Sequence, residues 1–250
     1  MSIRLHLIWG PTSTGKTAKS IALARAIGAP VIALDRVQCY PELATGSGRP
    51  SLSELNGTIR VYICERNVSS GIVSSVEANN LLKNKVEQYS RRYPQIILEG
   101  GSVSLINEMI SDKYWSRGFN WVLKKIDLGH HEDFMVRARK RVWEMIRRER
   151  GGVSILDELV GLWKDPTNHF TLEDTDGYRA IIRFARAMNM HVHMMASLDQ
   201  DVMGTLVERV ADEYWQHAIW QEKKFFTIPA TWERADASTL RGIYANGDET

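Results

Sequence analysis

The run Gly10-Pro11-Thr12-Ser13-Thr14-Gly15-Lys16-Thr17 has the residue types and spacing of a phosphate-binding loop. It follows an alternating apolar stretch, residues 3–9, and leads into a helical pattern over residues 16–27. A strand that passes through a glycine-bent loop into a helix aims backbone N–H groups and a positive helix end at one point. Such a nest suits a diphosphate or a longer polyphosphate. Lys16 adds a point charge for the outer phosphate, and the Thr17 hydroxyl is the expected protein ligand of a Mg²⁺ ion. A polyphosphate ester is therefore expected to bind. What is done with it depends on the other polar residues.

Asp35 ends the apolar run Val31-Ile32-Ala33-Leu34. A carboxylate there could orient a nucleophile or take its proton, or it could cap the next turn, and position alone favours neither. The following run, Ala44-Thr45-Gly46-Ser47-Gly48-Arg49-Pro50, allows close backbone approach, and Ser47 can both donate to and accept from the edge of a planar ring. Gly100, Gly101 and Ser102 follow a second buried run, where a loop for another phosphate ester would sit. A tight strand-to-helix turn is the simpler reading of those three residues. Arg137, Arg141 and Arg148 share one helical face. Such helices are most simply solvated, but Arg141 with Arg148 could reach over the phosphate loop. Asp176 is most simply a helix N-cap and His217 a packed core histidine. Trp121 and Trp215 are core residues or the lining of an apolar pocket.

The elements that must position these residues alternate. Strands are expected over residues 3–9, 31–34, 95–98 and 121–128, with helices over 16–27, 74–91 and 103–110. That order predicts an α/β fold of the P-loop NTPase type, a mainly parallel sheet flanked by helices. Ligands of such sheets bind beyond the carboxyl ends of the strands, which brings Gly10, Asp35 and Glu99 to one rim. From residue 131 onward the pattern is helical, over 132–150, 154–163, 178–190 and 203–225. The expected division is a core at 1–130, a helical part at 131–228 that completes a substrate cleft, and a loosely ordered tail at 229–250.

A net charge of +2 on 250 residues argues against nucleic acid or a membrane surface as partner. The two cysteines, Cys39 and Cys64, provide neither a disulfide framework nor a metal quartet. No leader peptide or membrane span is expected, and the location expected is the cytoplasm.

Taken together, the phosphate loop, Ala33-Leu34-Asp35-Arg36-Val37-Gln38-Cys39, Ala44 to Pro50, Ile97-Leu98-Glu99-Gly100-Gly101-Ser102 and Asp174-Thr175-Asp176-Gly177-Tyr178-Arg179 resemble the adenylate isopentenyltransferases. These are the cytokinin synthases of plant-associated bacteria, and the similarity runs in order from Leu5 to about Phe226. The resemblance implies that the phosphate loop holds the diphosphate of a prenyl donor and that the acceptor is AMP. The donor is dimethylallyl diphosphate or its hydroxylated relative, and N6 of the adenine attacks C1. By the same resemblance Asp35 is the general base and orienter of N6, and Ser47 contacts the adenine amine edge. Thr12 lies near the leaving oxygen, while Lys16, Thr17 with Mg²⁺, and Arg141 stabilise the diphosphate. Asp176 and His217 match a pair that makes the far end of the prenyl pocket hydrophilic, which implies use of the hydroxylated donor.

Three other readings compete. A tRNA dimethylallyltransferase would share the loop and the aspartate, but the near-neutral chain has no obvious inserted domain for gripping an anticodon. A small-molecule kinase would need an acidic Mg²⁺ partner on the third strand of the pattern and a lid arginine pair, for which Glu99 and the arginine helix are the candidates. A catalytically idle nucleotide-binding protein would bind either substrate and turn over neither.

Overall fold

A computed structural model describes residues 3–116, 118–147 and 152–232. Strands β1 (Ile3–Trp9), β2 (Val31–Leu34), β3 (Arg60–Tyr62), β4 (Gln95–Gly100) and β5 (Phe119–Lys125) form one sheet in the order β3-β2-β4-β1-β5. Every pairing in it is parallel. The helices are α1 (Lys16–Ile27), α2 (Leu52–Leu55), α3 (Ser75–Ser90), α4 (Val103–Ser111), α5 (His131–Arg147), α6 (Ile155–Leu162), α7 (His169–Asp174), α8 (Tyr178–Ala187) and α9 (Gln200–Lys224).

The apolar runs are continuous because the central strands are covered on both faces. Ile8, Val31 and Ile97 face Leu23 and Ala24 of α1, while Leu7, Ile32 and Leu98 face the larger cluster on the opposite side. That larger cluster continues without a break into Phe134, Leu159, Ile181 and Leu206 of the helical part.

Register places the site. Trp9 and Leu34 both pair with Gly100, so β1, β4 and β2 end level with one another. Gly10, Gly101 and Asp35 therefore leave the sheet side by side. Two glycines make this possible. A Cβ on Gly10, whose φ is +150°, would fall on the Ile126 carbonyl oxygen, and one on Gly100 would fall on that of Leu34.

The structure corrects several boundaries. β3 is a strand that the broken pattern between residues 36 and 60 does not announce, and α7 was likewise not expected. β5 begins at Phe119, ahead of the expected 121, and α9 begins at Gln200 where 203 was expected. The loose tail does not begin at Pro229. Trp232 is buried and stacks on Trp121 at 4.1 Å between ring centroids and 8° between planes, which anchors residues 229–232. Residues 233–250 lie outside the described residues. Among the described residues no helix is long and apolar enough to cross a membrane.

Candidate active site

One cleft of about 850 Å³ opens at the carboxyl rim, lined by both the sheet loops and the helical part. That volume is at the upper end for a small-molecule site, roomy enough for two small substrates. Thr12 to Thr17, Asp35, Ser47, Gly100 to Ser102, Arg141, Asp176 and His217 all line it, so most of the expected site residues meet there. Gly10 and Pro11 do not. Both are buried behind the loop, where the Pro11 carbonyl accepts from Lys16 Nζ and, at 2.8 Å, from the Thr14 hydroxyl.

Lys16 opens α1 directly after Gly15, whose left-handed φ of 82° turns the chain into the helix. Burial pushes the Lys16 ammonium below its usual range, while the charges of Glu99 and Asp35 push it back up. Thr17 lines the cleft, and among the described residues its hydroxyl has no hydrogen-bond partner.

Both local readings of Asp35 hold at once. Its Oδ1 accepts from Val37 N–H at 2.9 Å and from Gln38 N–H at 3.4 Å, which caps the turn at Val37–Cys39. Among the described residues its Oδ2 has no hydrogen-bond partner, and Asp35 lines the cleft. Burial raises the Asp35 carboxyl above the ordinary value, against the two backbone N–H groups. Glu99 raises it further and Lys16 lowers it. A carboxylate held in one orientation, partly desolvated and with one oxygen open is suited to accept a proton.

Glu99 is 3% exposed and gives Oε2 to the Arg60 guanidinium at 2.7 Å. With that oxygen already paired to a buried cation, Glu99 is a poor acidic Mg²⁺ partner, which counts against one of the two features that the kinase reading required. Gly100 and Gly101 answer to packing more than to a ligand: Gly100 lies against Leu34, and Ser102 N–H bonds the Leu34 carbonyl at 3.2 Å. The Ser102 hydroxyl accepts from Arg36 Nε at 3.4 Å.

The Ser47 loop is held from below by a residue the sequence did not single out. Glu158, on α6, accepts from Thr45 N–H at 2.7 Å, Gly46 N–H at 3.0 Å and the Tyr178 hydroxyl at 2.5 Å. Replacing Glu158 with leucine leaves three donors unpaired, those of Gly46 and Tyr178 buried and that of Thr45 partly so. The expected cost is about 3 kcal/mol of folding stability by urea denaturation, with a raised KM for the acceptor. Glu158→Gln, which keeps one acceptor, should cost less on both measures.

Asp176 is not an N-cap. Gly177 occupies that position of α8, and no side chain caps it. Asp176 Oδ2 instead meets His217 Nδ1 at 3.0 Å, and its Oδ1 pairs with Arg179, which also reaches Glu213 at 2.9 Å. Burial alone would raise the Asp176 carboxyl; the bond and charge of His217, with Arg179, outweigh it and hold it below the usual range. His217 likewise is no core residue, because its side chain stays 26% exposed at the cleft. With Nδ1 engaged by Asp176, Nε2 is the ring nitrogen left to meet whatever occupies that end.

Of the two readings of Trp121 and Trp215, the core one holds. Trp121 packs against Trp232, and Trp215 against His131 and Phe134, so both are structural. Trp220, beside His217 at 5.4 Å between centroids, is the tryptophan that lines the cleft. Arg141 lines it too, with Nη2 3.3 Å from where a Gly48 Cβ would stand. Arg148 lies outside the described residues. Arg137, one turn before Arg141 on the helical face they share, reaches the Ser13 carbonyl at 3.5 Å and lines the cleft as well. Tyr214 and Gln221 of α9 complete the wall, with no local motif to mark them.

A family model described as isopentenyl transferase matches residues 3–236. The chain belongs to that family. An adenylate dimethylallyltransferase of Ralstonia solanacearum is 58% identical over 94% of this chain and 99% of its own. One from Rhizobium rhizogenes is 44% identical over 88% of this chain and 90% of its own. Among solved structures, the tRNA isopentenylpyrophosphate transferase of Bacillus halodurans superposes with a TM-score of 0.68 at 15% identity, covering 94% of this chain and 88% of its own. That likeness shows the fold. The family match agrees with the transferase reading drawn from the motifs.

Proposed function

We propose that the protein transfers a five-carbon prenyl group from an allylic diphosphate to N6 of AMP and releases diphosphate. The observation that carries this reading is the open oxygen of Asp35 on the same strand-end rim as the phosphate loop, in one cleft. The relatives named adenylate dimethylallyltransferase, aligned over nearly the whole chain, support AMP as acceptor.

An exocyclic adenine amine is a weak nucleophile, because its lone pair is delocalised into the ring. Attack becomes practical once C1 of the donor carries positive charge. The C1–O bond breaks with its electron pair leaving on the diphosphate, the C1–N6 bond forms, and the N6 proton passes to Asp35 Oδ2. Ser47 holds the amine edge, and the Thr12 hydroxyl donates to the bridging oxygen. Lys16, Arg137 and Arg141 meet the negative charge that develops there.

The Thr17 hydroxyl, open and at the head of α1, fits one protein ligand of a Mg²⁺ ion that otherwise binds phosphate oxygens and water. When bound, such an ion would add positive charge at the departing diphosphate.

The reading is tested by incubating the protein with Mg²⁺, AMP and each of the two donors, with mass analysis of the products. Prenylated AMP is expected from the hydroxylated donor, whose hydroxyl reaches His217 Nε2. The double variant Asp176→Leu, His217→Leu should shift the ratio of kcat/KM toward dimethylallyl diphosphate by about tenfold to a hundredfold. Absence of product from both donors would overturn the proposal.

A further inference from the structure

Gln221 of α9 is buried, and both ends of its side-chain amide are engaged. Its Oε1 accepts from Thr12 N–H at 2.7 Å, and its Nε2 donates to the Gly101 carbonyl at 2.7 Å. The two partners stand on the exits of β1 and β4, neighbouring strands of the sheet. The carboxamide supplies an acceptor and a donor together; a carboxylate loses the donor and an aliphatic side chain loses both. Pro11 has no N–H, so Thr12 carries the first amide after Gly10. That amide is directed at Gln221, which fixes the Thr12 peptide plane and with it the direction of the side chain. Tyr214, His217 and Gln221 recur at spacings of three and four, so one face of α9 carries all three to the cleft.

We propose that Gln221 is a positioning residue for the transfer step. Through its bond to the Thr12 N–H it fixes the Thr12 hydroxyl at the leaving oxygen. The inference rests on the prenyl-transfer reading and deepens it. Its consequence is that Gln221 acts on the step through Thr12, without touching the reacting atoms.

A double-mutant cycle on the full chain tests this. Gln221→Met keeps the volume and removes both bonds, and kcat for prenylation of AMP is expected to fall about tenfold or more, because small misplacements of reacting groups are costly. The KM for AMP is expected to stay within about twofold, since uniform binding is untouched. In a Thr12→Ala background the same Gln221→Met change is expected to alter kcat by less than about threefold, because the group it positions is gone. If Gln221→Met does not fold by circular dichroism, Gln221→Asn, which is too short to span both partners, carries the same cycle. Unchanged kcat in the single variant, or an equal loss in both backgrounds, overturns the inference while leaving prenyl transfer standing. A wild-type protein that makes no prenylated AMP removes the functional reading itself.

Discussion

Replacing Asp35 with alanine is expected to lower kcat by about a thousandfold, the range for loss of a positioned general base. Binding of the prenyl diphosphate should change little, since the loop at Thr12 to Thr17 is built from other atoms. Oδ1 of Asp35 is occupied by two backbone N–H groups, and Oδ2 is open. The alanine variant loses the proton acceptor and also the cap of the following turn, so Asp35→Asn separates the two. Asparagine can keep the cap through its carbonyl oxygen, and it cannot take the proton. An equal loss of kcat in both variants therefore assigns the effect to proton transfer. A near-normal Asp35→Asn enzyme would assign it to the turn.

The same residue sets a pH dependence. Burial raises the Asp35 carboxyl, and only its deprotonated form accepts a proton, so activity should appear on an acidic limb above the ordinary carboxylate range. Glu99 contributes to that rise through its negative charge. Glu99→Gln removes the charge and should move the limb to lower pH, read from kcat/KM against pH.

Replacing Lys16 with methionine is expected to lower kcat/KM by about a hundredfold to a thousandfold, the loss associated with removing one preorganised charge from a developing anion. Methionine keeps much of the side-chain volume at this buried position. Lys16 lies at the start of α1 with Glu99 and Asp35 both near enough to act on its charge. Its removal also withdraws a cation that holds the Asp35 carboxyl down, so the acidic limb should move up in pH. The two substitutions thus displace the limb in opposite directions. A Lys16→Met enzyme with an unmoved limb would place Lys16 too far from Asp35 to share one site.

The rim of the sheet was legible because its signals are local. Apolar runs bounded by glycine mark β1, β2 and β4, and buried parallel strands need no other pattern. Residues that end such strands must meet, which brought Asp35 to the phosphate loop without any knowledge of contacts. β3 was not legible, because three residues, Arg60–Tyr62, pair along a sheet edge inside a stretch broken by glycine and proline. Asp176 and His217 were placed at the cleft only through the resemblance. Their local patterns suggested a cap and a core residue, and the contact between them joins the turn before α8 to α9, 41 positions apart in the chain. Glu158 and Gln221 fall furthest outside sequence reasoning. Each bonds backbone groups more than a hundred residues away, and a backbone group leaves no mark in a sequence.

The central claim is that the acceptor is a free nucleotide. Purified protein, Mg²⁺ and a radiolabelled prenyl diphosphate should be offered AMP and unmodified tRNA together, and the label followed in each. Label on N6 of AMP, with none in tRNA and none after Asp35→Asn, is the result expected. Label in tRNA with unmodified AMP would contradict the account.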